Sequence, residues 1–135
     1  MTARTLLSQT TIAGNGTTTG DSVRIGNAKS LTVESVFLYG AGGGTCKVYV
    51  QTTLDGTVWI DVAQHAFTTA AATKVSAVTC YIAPAAQALT PGDAALTDNT
   101  IIQGVLGDSV RVKVVSAGTV YSGATSIAVH AVYKT

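Results

Sequence analysis

The chain has 135 residues, only 11% of them charged, and a formal net charge of +1 at pH 7. An ordinary soluble domain carries about 25% charged residues. Binding to nucleic-acid phosphates needs a basic face, and attachment to anionic lipids needs a basic cluster. The composition therefore argues against nucleic-acid and membrane partners, and the length indicates one domain over residues 1–135.

Scarce charge has two explanations that the composition alone leaves open. Threonine occurs 22 times and glycine 14 times, and such surfaces occur on secreted β-proteins and on proteins covered by neighbouring subunits. The first residues, Met1–Ser8, contain no apolar run long enough for a signal-peptide core. No stretch of the chain is apolar over the length of a transmembrane helix. We therefore expect a product made in the cytoplasm and favour the covered surface.

The chain begins with two predicted strands, over residues 4–13 and 22–26. A Gly/Thr-rich loop, Ala13–Gly20, separates them. Residues 1–12 are expected to form an extended N-terminal arm that reaches a neighbouring molecule.

The middle of the chain alternates apolar and polar residues with a period of two. Cys46, Val48 and Val50 alternate with polar neighbours, which is typical of an antiparallel sheet with one solvated face. Asp55-Gly56 predicts a two-residue type I′ hairpin turn. Further strands are predicted over residues 30–39, 45–54, 57–63, 73–82, 99–104, 109–115 and 124–133.

One stretch breaks this rhythm, the alanine-rich Ala83–Ala95, which Pro84 and Pro91 bracket. Proline disfavours a continuous helix there, so we expect a long surface loop, with Ala83–Thr97 contacting neighbours. The sequence as a whole predicts an all-β protein. Its expected fold is an antiparallel, jelly-roll-like β-sandwich of about eight to nine strands with one long Ala/Pro loop.

The glycine-rich segment Gly40–Thr45 lacks the spacing of a phosphate-binding loop and leads into a strand, so a hairpin connection is expected. His65 and His130 are the only histidines, and neither has a second histidine within four residues. We expect both to be exposed or half-buried, without a catalytic or metal-binding role.

The carboxylates show no catalytic or calcium-binding spacing. The loop aspartates occupy positions where this residue commonly caps a turn, and the single glutamate lies within a predicted strand. No enzyme activity, cofactor or metal is expected. The residues considered are Glu34, Asp55, Asp61, Asp93, Asp98 and Asp108.

The two cysteines, Cys46 and Cys80, lie 34 residues apart in strand-like segments. A disulfide needs an oxidising compartment, and two cysteines without nearby histidines do not make a zinc site. Buried reduced thiols are expected.

Trp59 is the only tryptophan and follows the predicted hairpin. The run from Thr53 to Trp59 resembles the Asp-box of sialidases and lectin-like proteins, Ser-x-Asp-x-Gly-x-x-Trp, with Gly56 and Trp59 each one residue early. The resemblance implies a structural role for Trp59 at the base of a hairpin. A sugar-stacking platform is the alternative.

The segments Val48–Ala63, Gly104–Val114 and Gly118–Ser126 are together similar to small all-β structural proteins from the head modules of tailed bacteriophages and gene transfer agents. The resemblance covers roughly residues 45–133. It implies a virion protein assembled in the host cytoplasm, of the capsid cement or decoration type, with the major capsid protein and copies of itself as partners. It transfers no functional residues.

Two alternatives remain open. One is a carbohydrate-binding or receptor-binding module of a phage tail or fibre, with Trp59, Tyr49 and Tyr121 as stacking surfaces. The other is a head–tail connector component.

Overall fold

The computed structural model describes residues 2–80 and 89–135, and within these ranges the chain is all β, without helix. Accordingly, no helix of the described residues is long and apolar enough to cross a membrane. The strands are β1 (Thr2–Thr11), β2 (Gly16–Thr19), β3 (Val23–Arg24), β4 (Ser30–Leu38), β5 (Ala41–Gly42), β6 (Thr45–Thr53), β7 (Trp59–Phe67), β8 (Ala72–Thr79), β9 (Ser109–Ala117), β10 (Tyr121–Ser122) and β11 (Ser126–Lys134).

The strands form two antiparallel sheets that pack face to face. Sheet I has the order β1-β11-β4-β8, and sheet II has the order β2-β9-β6-β7, with β3 also paired to β9. When β2 and β3 count as one strand and the short β5–β10 pair is left out, strands 1, 8, 3 and 6 face strands 2, 7, 4 and 5. This is the order of a jelly roll, so the predicted fold class is confirmed.

The core lies between the two sheets and follows the predicted alternation. Leu31 and Val33 of β4 face Val48 and Val50 of β6, and all four are fully buried. At one end of the core, Phe37 stacks on Phe67 with ring centroids 5.0 Å apart. Burial of aliphatic side chains contributes about 1.5–3 kcal/mol each, which makes this alternation the main source of stability.

One long segment, residues 89–104, closes one edge of each sheet. It joins the edge of β7, where Asp61 N donates to Gly92 O at 2.9 Å and Ile102 N donates to Val62 O at 2.8 Å. It then crosses to β8, where the side chain of Gln103 bonds Thr79 N and Ala77 O. Covered edges do not pair with other chains, so this side of the sandwich is sealed.

This crossing corrects the predicted strand over residues 99–104. Only Ile101 forms a β-bridge, with Ala63. The segment passes from the edge of one sheet to the edge of the other within a few residues, so it cannot pair along a single strand.

Two expected extensions also differ. The predicted N-terminal arm is β1, which pairs with β11 from Thr2↔Tyr133 to Thr11↔Ser126, because its apolar residue Leu6 fills the core. Of the predicted contact loop Ala83–Thr97, residues 83–88 lie outside the described residues. Residues 89–97 contain the groups that bond β7 of the same molecule.

The hairpin between β6 and β7 is longer than predicted. Thr53 pairs with Trp59, which leaves a five-residue loop in place of a two-residue type I′ turn. The Asp55 carboxylate accepts hydrogen bonds from Thr57 N at 2.8 Å and Val58 N at 2.9 Å. These bonds hold the pKa of Asp55 below its usual value. The expected turn-capping role of Asp55 is thus confirmed in a wider turn.

Candidate functional site

The largest polar cluster lies on the outer face of sheet II, where residues 89–101 fold over β6 and β7. Asp61 is its buried centre. Its carboxylate accepts hydrogen bonds from Ala94 N at 3.0 Å, Ala95 N at 2.8 Å and Leu96 N at 3.1 Å. A buried carboxylate needs several donors to offset its desolvation. Asp61 therefore attaches the loop to the sheet.

Gln51 continues this cluster towards β9. Its Nε2 donates to Asp61 at 2.9 Å and to Asp93 at 2.6 Å, and its Oε1 accepts from Arg111 Nε at 2.8 Å. Lys113 Nζ lies 2.7 Å from the Asp93 carboxylate. The hydrogen bonds from Lys113 and Gln51 lower the pKa of Asp93.

Gln64 anchors the far end of the loop. Its Oε1 accepts from Asn99 N at 2.8 Å, and its Nε2 donates to Asp98 at 2.9 Å. Lys47 lies 2.9 Å from the Asp98 carboxylate and lowers the pKa of Asp98, which in turn raises the pKa of Lys47.

The cluster brings together Asp61, Asp93 and Asp98, while Asp55 and Asp108 lie elsewhere. No buried side-chain nitrogen or oxygen among the described residues lacks a hydrogen-bond partner. Nor do any three His, Cys, Asp or Glu side chains in residues 2–80 and 89–135 lie close enough to share a metal ion. Because its polar groups bond one another, the arrangement stabilises the loop and leaves few groups to bind a ligand.

His65 differs from expectation because it is buried between the sheets. Its Nδ1 lies 2.7 Å from Ser35 Oγ of β4, and its Nε2 lies 2.6 Å from Ser76 Oγ of β8. Burial, with a contribution from Lys74, lowers the pKa of His65 to about 4. The neutral imidazole therefore links sheet II to sheet I. The β-branched and apolar neighbours along β7 gave no sign of this polar link.

Both cysteines were expected to be buried, and this is confirmed for Cys46 but wrong for Cys80. Both are free thiols. Cys46 is buried, and its burial raises the thiol pKa to about 12. Cys80 is exposed just beyond the end of β8, which stops at Thr79.

The three candidate stacking residues do not form one surface. Tyr121 is buried, its hydroxyl donates to Thr68 O at 2.6 Å, and burial raises its pKa to about 12. Tyr49 is buried too. The half-buried Trp59 has the Arg111 guanidinium over its ring, 4.2 Å from the centroid. The expectation of exposed tyrosines is therefore wrong, and one face of the indole is occupied.

The outer face of sheet I has the opposite character. Twelve of its outward positions are small or medium-sized and include one carboxylate, Glu34, and one imidazole, His130, which is exposed as expected; the exposed Lys134 lies on the same side at the end of β11. These two residues pair across β4 and β11 in the central row of the face. None of the described segments covers it. The positions are Ala3, Thr5, Thr32, Glu34, Val36, Leu38, Thr73, Val75, Ala77, Ala128, His130 and Val132; we call this set the bare face.

The hairpin loop between β6 and β7 adds an apolar tip at one end of the sandwich. Leu54 and Val58 are 68% and 48% exposed, while Val120, at the opposite end, is 47% exposed. We call Leu54 and Val58 the hairpin tip.

The sequence placed Glu34 within a predicted strand and His130 on the side of its strand that carries Lys134. It did not bring the two together, because the pairing of β4 with β11 depends on the jelly-roll order. No protein-family model matches the chain, and no significantly similar curated protein was found.

Proposed function

We propose that this protein is a non-enzymatic structural subunit of a virus particle, a capsid cement or decoration protein that binds the major capsid lattice as an oligomer. The observation that carries the proposal is the contrast between the two outer sheet faces. Sheet II is covered by its own loop and carries paired charges, whereas the bare face is uncovered by the described residues and has one carboxylate, Glu34, with Lys134 at its border. The bare face is therefore the surface suited to contact another protein.

The chemistry of the bare face favours protein contact. Threonine, alanine and valine lose little side-chain entropy when they are covered. Removing ion-pairing side chains from water is costly, and this face contains one carboxylate in twelve positions. A surface of this kind can be covered at low cost over its whole width.

The jelly roll alone does not select this function, since the same architecture occurs in capsid, lectin and cupin domains. Two features favour the capsid role among these. The polar cluster is satisfied internally, and the Trp59 ring is covered on one side by Arg111. Neither arrangement offers the open aromatic surface that a sugar-binding site uses.

The hairpin tip is the expected contact with the capsid lattice. Leu54 has the largest exposed fraction of the large apolar side chains on the described surface, at 68%. Asp55 fixes the loop through its hydrogen bonds to Thr57 and Val58. A rigid apolar tip loses little entropy on docking, so both side chains can insert into a pocket between capsid subunits.

The test is a binding assay on capsids assembled without this protein. Purified protein is added, and the bound fraction is measured by co-sedimentation. Leu54→Asp and Val58→Asp are expected to lower capsid affinity at least tenfold. The matched control is Val120→Asp, which places the same charge at the opposite end and is expected to leave affinity unchanged.

The proposal is wrong if the wild-type protein does not bind such capsids. Equal losses for the tip variants and the Val120 control would remove the tip as the contact. Quantitative mass spectrometry of purified particles separates a decoration protein, present at a copy number comparable to the capsid protein, from a head–tail connector, present in a few copies.

A further inference from the structure

We propose that the partner of the bare face is a second copy of this chain, packed face to face about a two-fold axis parallel to the strands, with His130 of each copy against Glu34 of the other. This inference rests on the proposed function and names the oligomer contact that the function requires. It is carried by the position of the two ionisable side chains relative to the centre of the sheet.

The strand order of sheet I suits this contact. In sheet I, β11 and β4 are the two middle strands, and β1 and β8 are the outer ones. A two-fold axis that runs parallel to the strands, midway between the two facing sheets and centred between the middle strands, places β11 of one copy over β4 of the second copy. It also places β1 over β8. The four-stranded sheet therefore covers itself completely without any lateral shift.

The register of sheet I aligns the two ionisable side chains across the strands. His130 pairs with Glu34, Glu34 pairs with Val75, and His130 pairs with Thr5 on the other side. These four residues form one row across the sheet. Rotation about the axis places this row over itself in reverse order. Each imidazole then faces a carboxylate, and each Thr5 faces a Val75.

The charges of the two copies are complementary in this arrangement. Within the described residues, Glu34 forms no ion pair, and the three ion pairs of the chain involve other residues. A neutral imidazole donates one N–H to a carboxylate, and a protonated one adds charge. The two-fold arrangement provides each Glu34 with one such donor from the second copy, so the interface contains two imidazole–carboxylate pairs.

The side chains next to the His130–Glu34 row allow close packing of the two sheets. The neighbouring row, Ala3–Val132–Thr32–Ala77, consists of small and β-branched residues and also faces itself. Sheets pack about 10 Å apart when such side chains interdigitate. Four strands about 4.8 Å apart and seven residues long bury roughly 450 Å² per copy. That is a small interface, so a weak, concentration-dependent dimer is expected.

The symmetry has a consequence for the proposed function. A two-fold axis parallel to the strands leaves both hairpin tips at the same end of the dimer. Two copies of Leu54 and Val58 then meet the capsid together, and their effective concentration for the second contact is high. A weak dimer is sufficient for this purpose, since the lattice holds both copies.

The experiment is sedimentation velocity on the full chain over a wide concentration range. The wild type is expected to pass from monomer to dimer. Glu34→Arg places arginine against His130 of the second copy, and His130→Glu places two carboxylates together. Each variant alone is expected to weaken dimerisation at least tenfold. The matched control is Thr17→Arg, on the exposed edge strand of sheet II, which is expected to dimerise as the wild type does.

The decisive arm mixes the two variants. In a mixed dimer the introduced arginine faces the introduced glutamate, and the unchanged His130 faces the unchanged Glu34. The mixture is therefore expected to dimerise although neither variant does so alone. Circular dichroism confirms that both variants are folded before they are mixed.

Every other outcome overturns the inference. A wild type that stays monomeric at all concentrations, or variants that dimerise normally, would show that this face is not a self-contact. A mixture that stays monomeric would exclude the two-fold register. A monomer that still binds capsids overturns this inference and the oligomeric part of the proposed function, and leaves capsid binding through the hairpin tip in place. A dimer that does not bind capsids removes only the proposed function.

Discussion

Arg111 lies over the indole ring of Trp59, with its guanidinium carbon 4.2 Å from the ring centroid. The same side chain donates from Nε to Gln51 Oε1 at 2.8 Å. One residue thus joins the hairpin to the hydrogen-bonded cluster that holds the long loop. This contact also decides how much of Trp59 meets solvent.

Replacing this side chain tests its role. Arg111→Ala removes a cation–π contact and a hydrogen bond, and we expect a loss of about 1–2 kcal/mol in the free energy of unfolding. Trp59 fluorescence should shift to longer wavelength, because water reaches the exposed ring face. Arg111→Lys keeps the charge without the planar group, so an intermediate effect is expected.

The control for this prediction is Arg24→Ala. Arg24 pairs with Asp108 at the surface, where its side chain is 81% exposed, and surface pairs contribute little. An Arg111→Ala protein with unchanged emission would contradict the arrangement. Chemical denaturation followed by tryptophan emission measures both quantities in one experiment.

A second prediction concerns the loop clamp, the Asp61 carboxylate with the backbone N–H groups of Ala94, Ala95 and Leu96 that it accepts from. Asp61→Asn replaces a carboxylate that accepts three backbone N–H groups, and the new NH₂ group points at donors. We expect a loss of roughly 2–4 kcal/mol, because charged acceptors are stronger and an unsatisfied buried donor is costly. Hydrogen exchange of the Ala94, Ala95 and Leu96 amides should accelerate more than that of β4 amides.

Asp108→Asn is the matched control, since Asp108 is partly exposed and lies outside the clamp. A uniform acceleration of exchange across the whole protein would indicate global destabilisation instead of local release. Acceleration of hydrogen exchange that is confined to residues 94–96 in the Asp61→Asn variant would establish that Asp61 holds the loop.

The architecture could be predicted from the sequence because a β-sandwich depends on the alternation of apolar and polar residues, and this alternation is visible within each short segment of the chain. Val48 and Val50 in one segment, and Val110 and Val112 in another, are each two residues apart, and all four are buried in the structure. The expectation of a hairpin at Gly40–Thr45 is wrong, because this segment joins β4 of sheet I to β6 of sheet II; Gly43, with a positive φ of 96° beside the Tyr121 ring, allows the chain to cross between the sheets there.

The cluster on sheet II was not predictable in the same way. Gln51 and Asp61 are cross-strand partners of the β6–β7 hairpin, but Asp93 comes from a distant segment. Asp93 reaches them because a long loop returns over the sheet, and loop paths depend on tertiary contacts. His65 was missed for a related reason, since its serine partners Ser35 and Ser76 lie on two strands of the opposite sheet.

His65 predicts how stability depends on pH. Its pKa in the folded protein is about 4, below the value of 6.5 for an unperturbed histidine. Between these values the unfolded chain binds a proton that the folded protein does not. Stability is therefore expected to fall as the pH decreases from about 6.5 to 4. Lys74 is the charge that opposes protonation there.

The matched variant is His65→Gln, which keeps hydrogen-bonding groups but does not titrate. Its free energy of unfolding should be lower than that of the wild type near neutral pH and should be flat over the same pH range. Asp93 and Asp98 have pKa values lowered from 3.8, so the stability that these carboxylates contribute is lost only in more acidic solution, where they become protonated. An unchanged slope in the variant would assign the effect to other groups.

The two thiols should react at very different rates. Cys80 is exposed, while Cys46 is buried with a pKa raised to about 12, and only the thiolate reacts. Near neutral pH a thiol reagent should label one cysteine quickly, and Cys80→Ser should abolish that fast phase. Cys46 should react only through unfolding, so its labelling rate should increase with denaturant. The matched variant, Cys46→Ala, should keep the fast phase and lose the slow one. Fast labelling of two thiols in the native protein would contradict the buried position of Cys46 between the sheets.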